Sequence, residues 1–239
     1  MRIARTAALL SGLAFTGLAA AMPATAATAS APAQPAIIDG SNADSLHAAA
    51  RMFAGGEEIC SATIIAPDWI LTARHCTQGA EGKDITFHVG DLDQTKGTEV
   101  KATAVHESEE ADISLVQIDQ QVETDYAPLG SEGDVKVGDE AEVYGWGATC
   151  TDKPEIECQS QQLKVAKVNV NSIDCPDGAA GTSVCADRGD GITAGGDSGG
   201  PMYANGKQVG VASTSDRQSY TAYINVTLYR DWIKSVAGV

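Results

Sequence analysis

Histidine is scarce in this chain: four in 239 residues, at positions 47, 75, 88 and 106, with none in the C-terminal half. Basic residues are few as well, 16 Lys and Arg against 32 Asp and Glu, for a formal charge of −16. They form no cluster, so the field of the molecule repels nucleic acid and anionic membranes, and neither is expected as a partner. No Cys-x-x-Cys pair occurs among the six cysteines, which removes the usual zinc spacing; no metal and no cofactor is expected. After the first 21 residues no apolar run is long enough to span a bilayer. Aromatics are thin, with three phenylalanines against 25 glycines, a composition of turn-rich, all-β chains.

What is present begins with a leader. Arg2 and Arg5 precede the apolar stretch Ala7 to Ala21, and Ala24-Thr25-Ala26 or Ala27-Thr28-Ala29 suits a signal peptidase. We expect a signal peptide over 1–29, a short propeptide over 30–36, and a secreted, extracellular product. Removing 36 residues takes away two arginines and no acid, leaving −18. Oxidising surroundings make disulfides the default. Cys150 and Cys158 bracket a polar loop, Cys175 and Cys185 bracket "PDGAAGTSV", and Cys60 and Cys76 remain as the third pair.

From Ile37 onward short β-branched runs alternate with Gly, Asp, Asn and Pro: "SATIIA", "WILTA", "DITFHVG", "TEVKATAV", "DISLVQID", "DEAEVYGW", "QLKVAKVNV", "PMYA", "KQVGVAS" and "AYINV". Such spacing signals a sandwich or barrel. Asn205-Gly206 is a two-residue hairpin turn, because both positions need φ > 0. Leu228, Trp232, Ile233 and Val236 fall on one helical face at the C-terminus. A seam at 130–139 is the best candidate boundary between two halves, over 37–132 and 133–239.

The stretch "GGDSGGP" at 195–201 crowds glycine around Ser198. Serine becomes a nucleophile when a base takes its proton and a third group orients that base. The α/β-hydrolase order needs a histidine after the serine, and there is none. The orders His, Asp, Ser and Asp, His, Ser remain open. His75, in "ILTARHC", ends an apolar strand beside a cysteine and is the best base by its surroundings. His88 reads as structural, His106 as solvated before "ESEE", and His47 lies near the start of the processed chain.

Four stretches, in order, resemble the secreted chymotrypsin/trypsin-like serine proteases: "IIDG" at Ile37, "CSATIIAPDWILTARHC", "ADISLVQI" and "GGDSGGP". "YGWG" at Tyr144 and "YRDWI" agree, so the likeness spans Ile37 to Val239. It implies two antiparallel six-stranded β-barrels with a C-terminal helix and an active site between them. It also implies His75 as general base, Asp112 as its orienting carboxylate and Ser198 as nucleophile, with Gly196 and Ser198 N–H groups as the oxyanion hole. A cut before Ile37 would free an amine to pair with Asp197. Ala36 is not a tryptic site, and Gln34 is a poor signal-peptidase position. In tryptic members an aspartate lies six residues before the nucleophile; here that residue is Ile192. With Ser213, Ser215 and Thr221 as pocket walls, small or medium apolar P1 residues are expected. Asp190 or Asp216 reaching the pocket would instead give Lys/Arg specificity. Ala194 stands where the family has a pocket cysteine, and Arg74 precedes the histidine, read as exposed. The alternative to a peptidase is a binding protein on the same fold that has lost its triad. The expected product is a monomer acting on extracellular protein.

Overall fold

Short β-branched runs of the sequence become strands in most places. The computed structural model describes residues 37–239; the expected signal peptide and propeptide lie outside the described residues. Strand β1 is Ser41–Asn42, followed by β2 (Ala49–Ala54), β3 (Glu57–Ala66), β4 (Trp69–Thr72), the short helix α1 (Arg74–Gly79), β5 (Ile85–Val89), β6 (Thr98–Glu107) and β7 (Ser114–Ile118). Then come β8 (Glu140–Gly145), β9 (Lys164–Pro176), β10 (Thr182–Arg188), β11 (Pro201–Ala204), β12 (Lys207–Ser215), β13 (Tyr220–Asn225) and helix α2 (Arg230–Ala237). In β9, Ala166, Val168 and Val170 are buried while Lys167, Asn169 and Asn171 are exposed, the alternation of a sheet with one wet face.

Two closed antiparallel six-stranded barrels result. The first runs β2-β3-β4-β7-β6-β5; the second runs β8-β9-β10-β13-β12-β11, closed by β9 on β8. Closure removes sheet edges, so neither barrel presents an open ladder. The first core is built on Met52, Ile64, Leu71, Phe87, Val100 and Leu115. The second is built on Val143, Val168, Val184, Met202, Val209 and Tyr223.

The two ends of the described chain cross over. Ile37 is fully buried in the second core, and β1 pairs with β9 of the second barrel, Ser41 opposite Val165. Helix α2 instead packs on β7 of the first barrel, with Ile233 fully buried among that barrel's residues. Leu228 departs from the expected helical face: it lies in a 3-10 turn, Val226–Leu228, before the helix and is 50% exposed. Asn205 and Gly206 turn with φ 52° and 76°, as a two-residue hairpin requires. Strands β2 and β10 were not anticipated. Beta2 reads "AARMFA", whose alanines and arginine carry little strand signal, and β10 begins inside the turn-rich loop after Cys175.

Candidate active site

His75 sits in the first turn of α1, just after β4 ends, and Cys76 beside it is joined to Cys60 on β3. Cys150–Cys158 and Cys175–Cys185 are joined as well. The imidazole Nδ1 is 2.7 Å from Asp112 Oδ2, and the His75 backbone N–H donates to Asp112 Oδ1 at 2.8 Å. An ionised carboxylate only accepts, so the proton resides on Nδ1 and Nε2 is left as the basic nitrogen. Asp112 is 1% exposed, between the buried Ala111 and Ile113, and its N–H donates to the Ala180 carbonyl at 3.1 Å. Burial pushes this carboxyl upward, but hydrogen bonds from the His75 ring and backbone and from Ser213, with the attraction of the ring whenever it is protonated, outweigh it. The net position is below the ordinary aspartate range. The imidazole and the Cys60 and Cys76 sulfurs lie within 4.8 Å of one another, but both sulfurs are spent in the disulfide and offer no thiolate to a metal.

Ser198 lies between β10 and β11 on a tight turn closed by Gly200 N–H to Asp197 carbonyl, 2.9 Å. Its own carbonyl accepts from Ser61 N–H of β3 at 2.9 Å, which ties the turn to the first barrel. Gly199 has φ +80°, and a Cβ there would fall 2.1 Å from Thr72 Oγ1, so only glycine lets this turn press against the end of β4. The turn thus meets the strand end that leads into His75. Ser198 is half-buried, and among the described residues its hydroxyl makes no hydrogen bond. In empty active sites the nucleophile–base bond is commonly long and tightens with substrate.

Around the turn, the Gly195 carbonyl accepts from Ala148 N–H at 2.8 Å and Gln159 Nε2 at 2.9 Å. A trans peptide points its N–H opposite its carbonyl, so these donors aim the Gly196 N–H away from them. Among the described residues, neither the Gly196 nor the Ser198 N–H meets an acceptor. Asp197 is fully buried, and its carboxylate accepts from Gly147 N–H at 2.7 Å and Ala194 N–H at 2.9 Å. Gly145 and Gly147 form its cradle; a Cβ on either would lie within 2.4 Å of the carboxyl group. Burial raises its pKa to about 6, against the pull of those two amides and of the Arg51 charge. Ile37 is fully buried with φ 41°, a strained backbone for a β-branched residue. Ile38 pairs as a β-bridge with Ile192.

The expected pocket residues take several directions. Ile192 is fully buried against Ile38, Ala148 and Ala194. Ser213 turns its hydroxyl to Asp112 Oδ2 at 2.8 Å and to Asp177 Oδ1 at 2.7 Å, where a single proton serves one acceptor at a time. Ser215 Oγ donates to the Thr193 carbonyl at 2.8 Å, and the Thr193 and Thr221 hydroxyls lie 2.8 Å apart. These bonds draw the walls together. Asp190 accepts from Lys167 N–H at 2.6 Å, and Asp216 caps its own loop through Gln218, Ser219 and Tyr220. Neither acid points between the walls. At the rim, Glu155 pairs with Arg217 and accepts from Gly195 N–H at 3.1 Å. Arg74 is not simply exposed: its guanidinium donates to the Ser108 carbonyl at 2.7 Å, bracing the loop that leads to Asp112.

Arg51 and Gln159 escaped the sequence reading. The only local signal was a charged residue in mid-run, "AARMFA"; its burial depends on chain 145 positions away.

A family model, "Trypsin", matches residues 37–233. The chain is 34% identical to a trypsin from Saccharopolyspora erythraea over 66% of this chain and 76% of that protein. It is 29% identical to brachyurin from Leptuca pugilator over 80% of this chain and 92% of that one. Among solved structures, an inactivated protease paralogue of the scabies mite superposes with TM-score 0.74 at 23% identity, covering 84% of this chain and 97% of that one, a likeness of fold.

Proposed function

Since this chain belongs to the trypsin family, we propose that it is a secreted serine endopeptidase acting on extracellular protein, with Ser198, His75 and Asp112 as its reacting relay. The carrying observation is the 2.7 Å bond between His75 Nδ1 and a buried carboxylate. It leaves Nε2 unprotonated and able to take the Ser198 proton as Oγ bonds to the scissile carbonyl carbon. The carbonyl oxygen becomes an oxyanion, for which the unspent Gly196 and Ser198 N–H groups are the donors; one such donor is worth about 3 kcal/mol of barrier. His75 then passes its proton to the leaving amine as the C–N bond breaks, and an acyl-enzyme remains. Water repeats the sequence in reverse, and the acid is released. No cofactor takes part.

Activation follows from Asp197. In the unbroken chain the Ile37 nitrogen is a peptide nitrogen and carries no charge, and the φ of 41° holds strain that a cut before Ile37 releases. The freed ammonium would supply the cation that a buried carboxylate needs. We infer that Thr193, Ser215 and Thr221, joined by their hydroxyls, form a wall suited to small or medium apolar P1 side chains, with Asp190 and Asp216 both engaged elsewhere. An organophosphonate tests the reading: it should label Ser198 in the processed protein and far more slowly in the unprocessed one. Labelling of neither form would support an inactive binding homologue, and equal labelling of both would remove the activation step.

A further inference from the structure

Strand β2 presents alternate faces to two different neighbours. Ala50 and Met52 turn into the first core, whereas Arg51 turns to the second barrel, where it is 0% exposed. A guanidinium is costly to bury without an ion pair. Yet among the described residues this one donates to neutral acceptors: Nη1 to the Gly196 carbonyl at 2.9 Å and Nη2 to Gln159 Oε1 at 2.9 Å. Its Nε meets no partner among them. Burial draws its pKa down to about 10, with Asp197 and Glu58 pulling the other way. Ser61, its cross-strand partner, donates to the same Gly196 carbonyl at 3.0 Å.

Gln159 follows Cys158 directly. With its Oε1 facing a cation, its Nε2 must face acceptors, and it does so: Gly195 carbonyl at 2.9 Å and Glu155 carbonyl at 2.8 Å. Arg51 therefore grips the peptide after Gly196 directly and the peptide before it through Gln159. Those two peptides decide where the Gly196 N–H points. We propose that Arg51, acting with Gln159, is a positioning residue that holds the oxyanion-binding loop in its working orientation from across the barrel interface. The proposal rests on the endopeptidase reading of this same site.

The test uses processed enzyme, a peptide anilide substrate, and a peptide boronic acid whose tetrahedral adduct with Ser198 places an oxygen where the oxyanion forms. In Arg51→Met, kcat should fall about 100-fold with KM within about threefold, and boronate affinity should fall in step with kcat. Gln159→Glu gives Arg51 a carboxylate but removes the donor to the Gly195 carbonyl, so kcat and boronate affinity should fall together with KM held. A purely structural role predicts a lower thermal midpoint with kcat and boronate affinity of the folded enzyme unchanged. Should Arg51→Met not fold, Gln159→Glu decides. Wild-type kcat in the variants, or equal weakening of KM and boronate binding, overturns the brace alone. Absence of turnover and of Ser198 labelling in the processed wild type overturns the endopeptidase reading and the brace with it.

Discussion

Asp112 and Asp197 are both buried aspartates in the same site, each accepting backbone N–H groups, yet their surroundings push them in opposite directions. Asp112 adds an imidazole and a hydroxyl to its amide donor and sits below the ordinary range. Asp197 has two amides, an arginine charge beyond direct contact, and a pKa near 6. The lesson is that burial alone does not set a carboxylate's charge; the completeness of its donors does. Asp112 has its donors in place, whereas the proposed activation would bring Asp197 its missing cation.

The harshest way to break this contrast is Asp112→Asn. It keeps the size but offers an amide that no longer fixes the Nδ1–H tautomer, and kcat should drop about 10⁴-fold, read at saturating substrate. A drop under about tenfold would remove Asp112 from the relay. Next in size is the pH dependence of stability. For Asp197 the folded pKa of about 6 lies above the reference 3.8. Nothing is lost below about pH 4, a penalty grows up to pH 6, and above that it is complete at up to about 3 kcal/mol. For Asp112 the shift is downward, so its contribution is present above the ordinary aspartate pKa and lost as pH falls through and below it. Urea unfolding of the uncut chain, carrying Ser198→Ala against self-cleavage, should show the loss between about pH 4 and 6, and the processed chain should not. The same slope in both forms would mean that the Ile37 amine never reaches Asp197. The smallest effect sharpens the comparison by touching neither acid. Thr221→Gly, at the joined walls, should shift kcat/KM toward Leu or Phe over Ala at P1 by about tenfold. A P1 library in which Arg or Lys leads would refute the apolar pocket.

Much of the fold was legible because its signals are local. Strands such as β7 and β9 carry their own apolar pattern, Asn205-Gly206 carries its own turn, and neighbouring cysteines find each other. His75 and Asp112, 37 positions apart, could be joined only through the family likeness, since spacing alone left the order open. What escaped was made by contacts across the chain. Beta10 looks like a loop until β9 and β13 flank it, and Arg51 looks solvated until the second barrel covers it. Glu155, in a polar loop, gave no hint that it would fill the space beside Gly195, where a Cβ would sit 2.1 Å from its Oε2. The expected pocket walls came from the family likeness, but the bond from Ser215 to Thr193 joins β12 to the loop before Ser198 and had no local signal.

The crossed ends of the chain have a bearing on autonomy. The segment leading into the first barrel completes the second, and the helix that trails the second completes the first. Divide the polypeptide midway and each fragment would carry off a segment packed on its sibling's barrel, leaving an apolar seat bare on both. The barrels are reciprocal halves of one folding unit, and an insertion near Ile37 or in the C-terminal helix would be felt in the barrel built from the opposite half of the sequence.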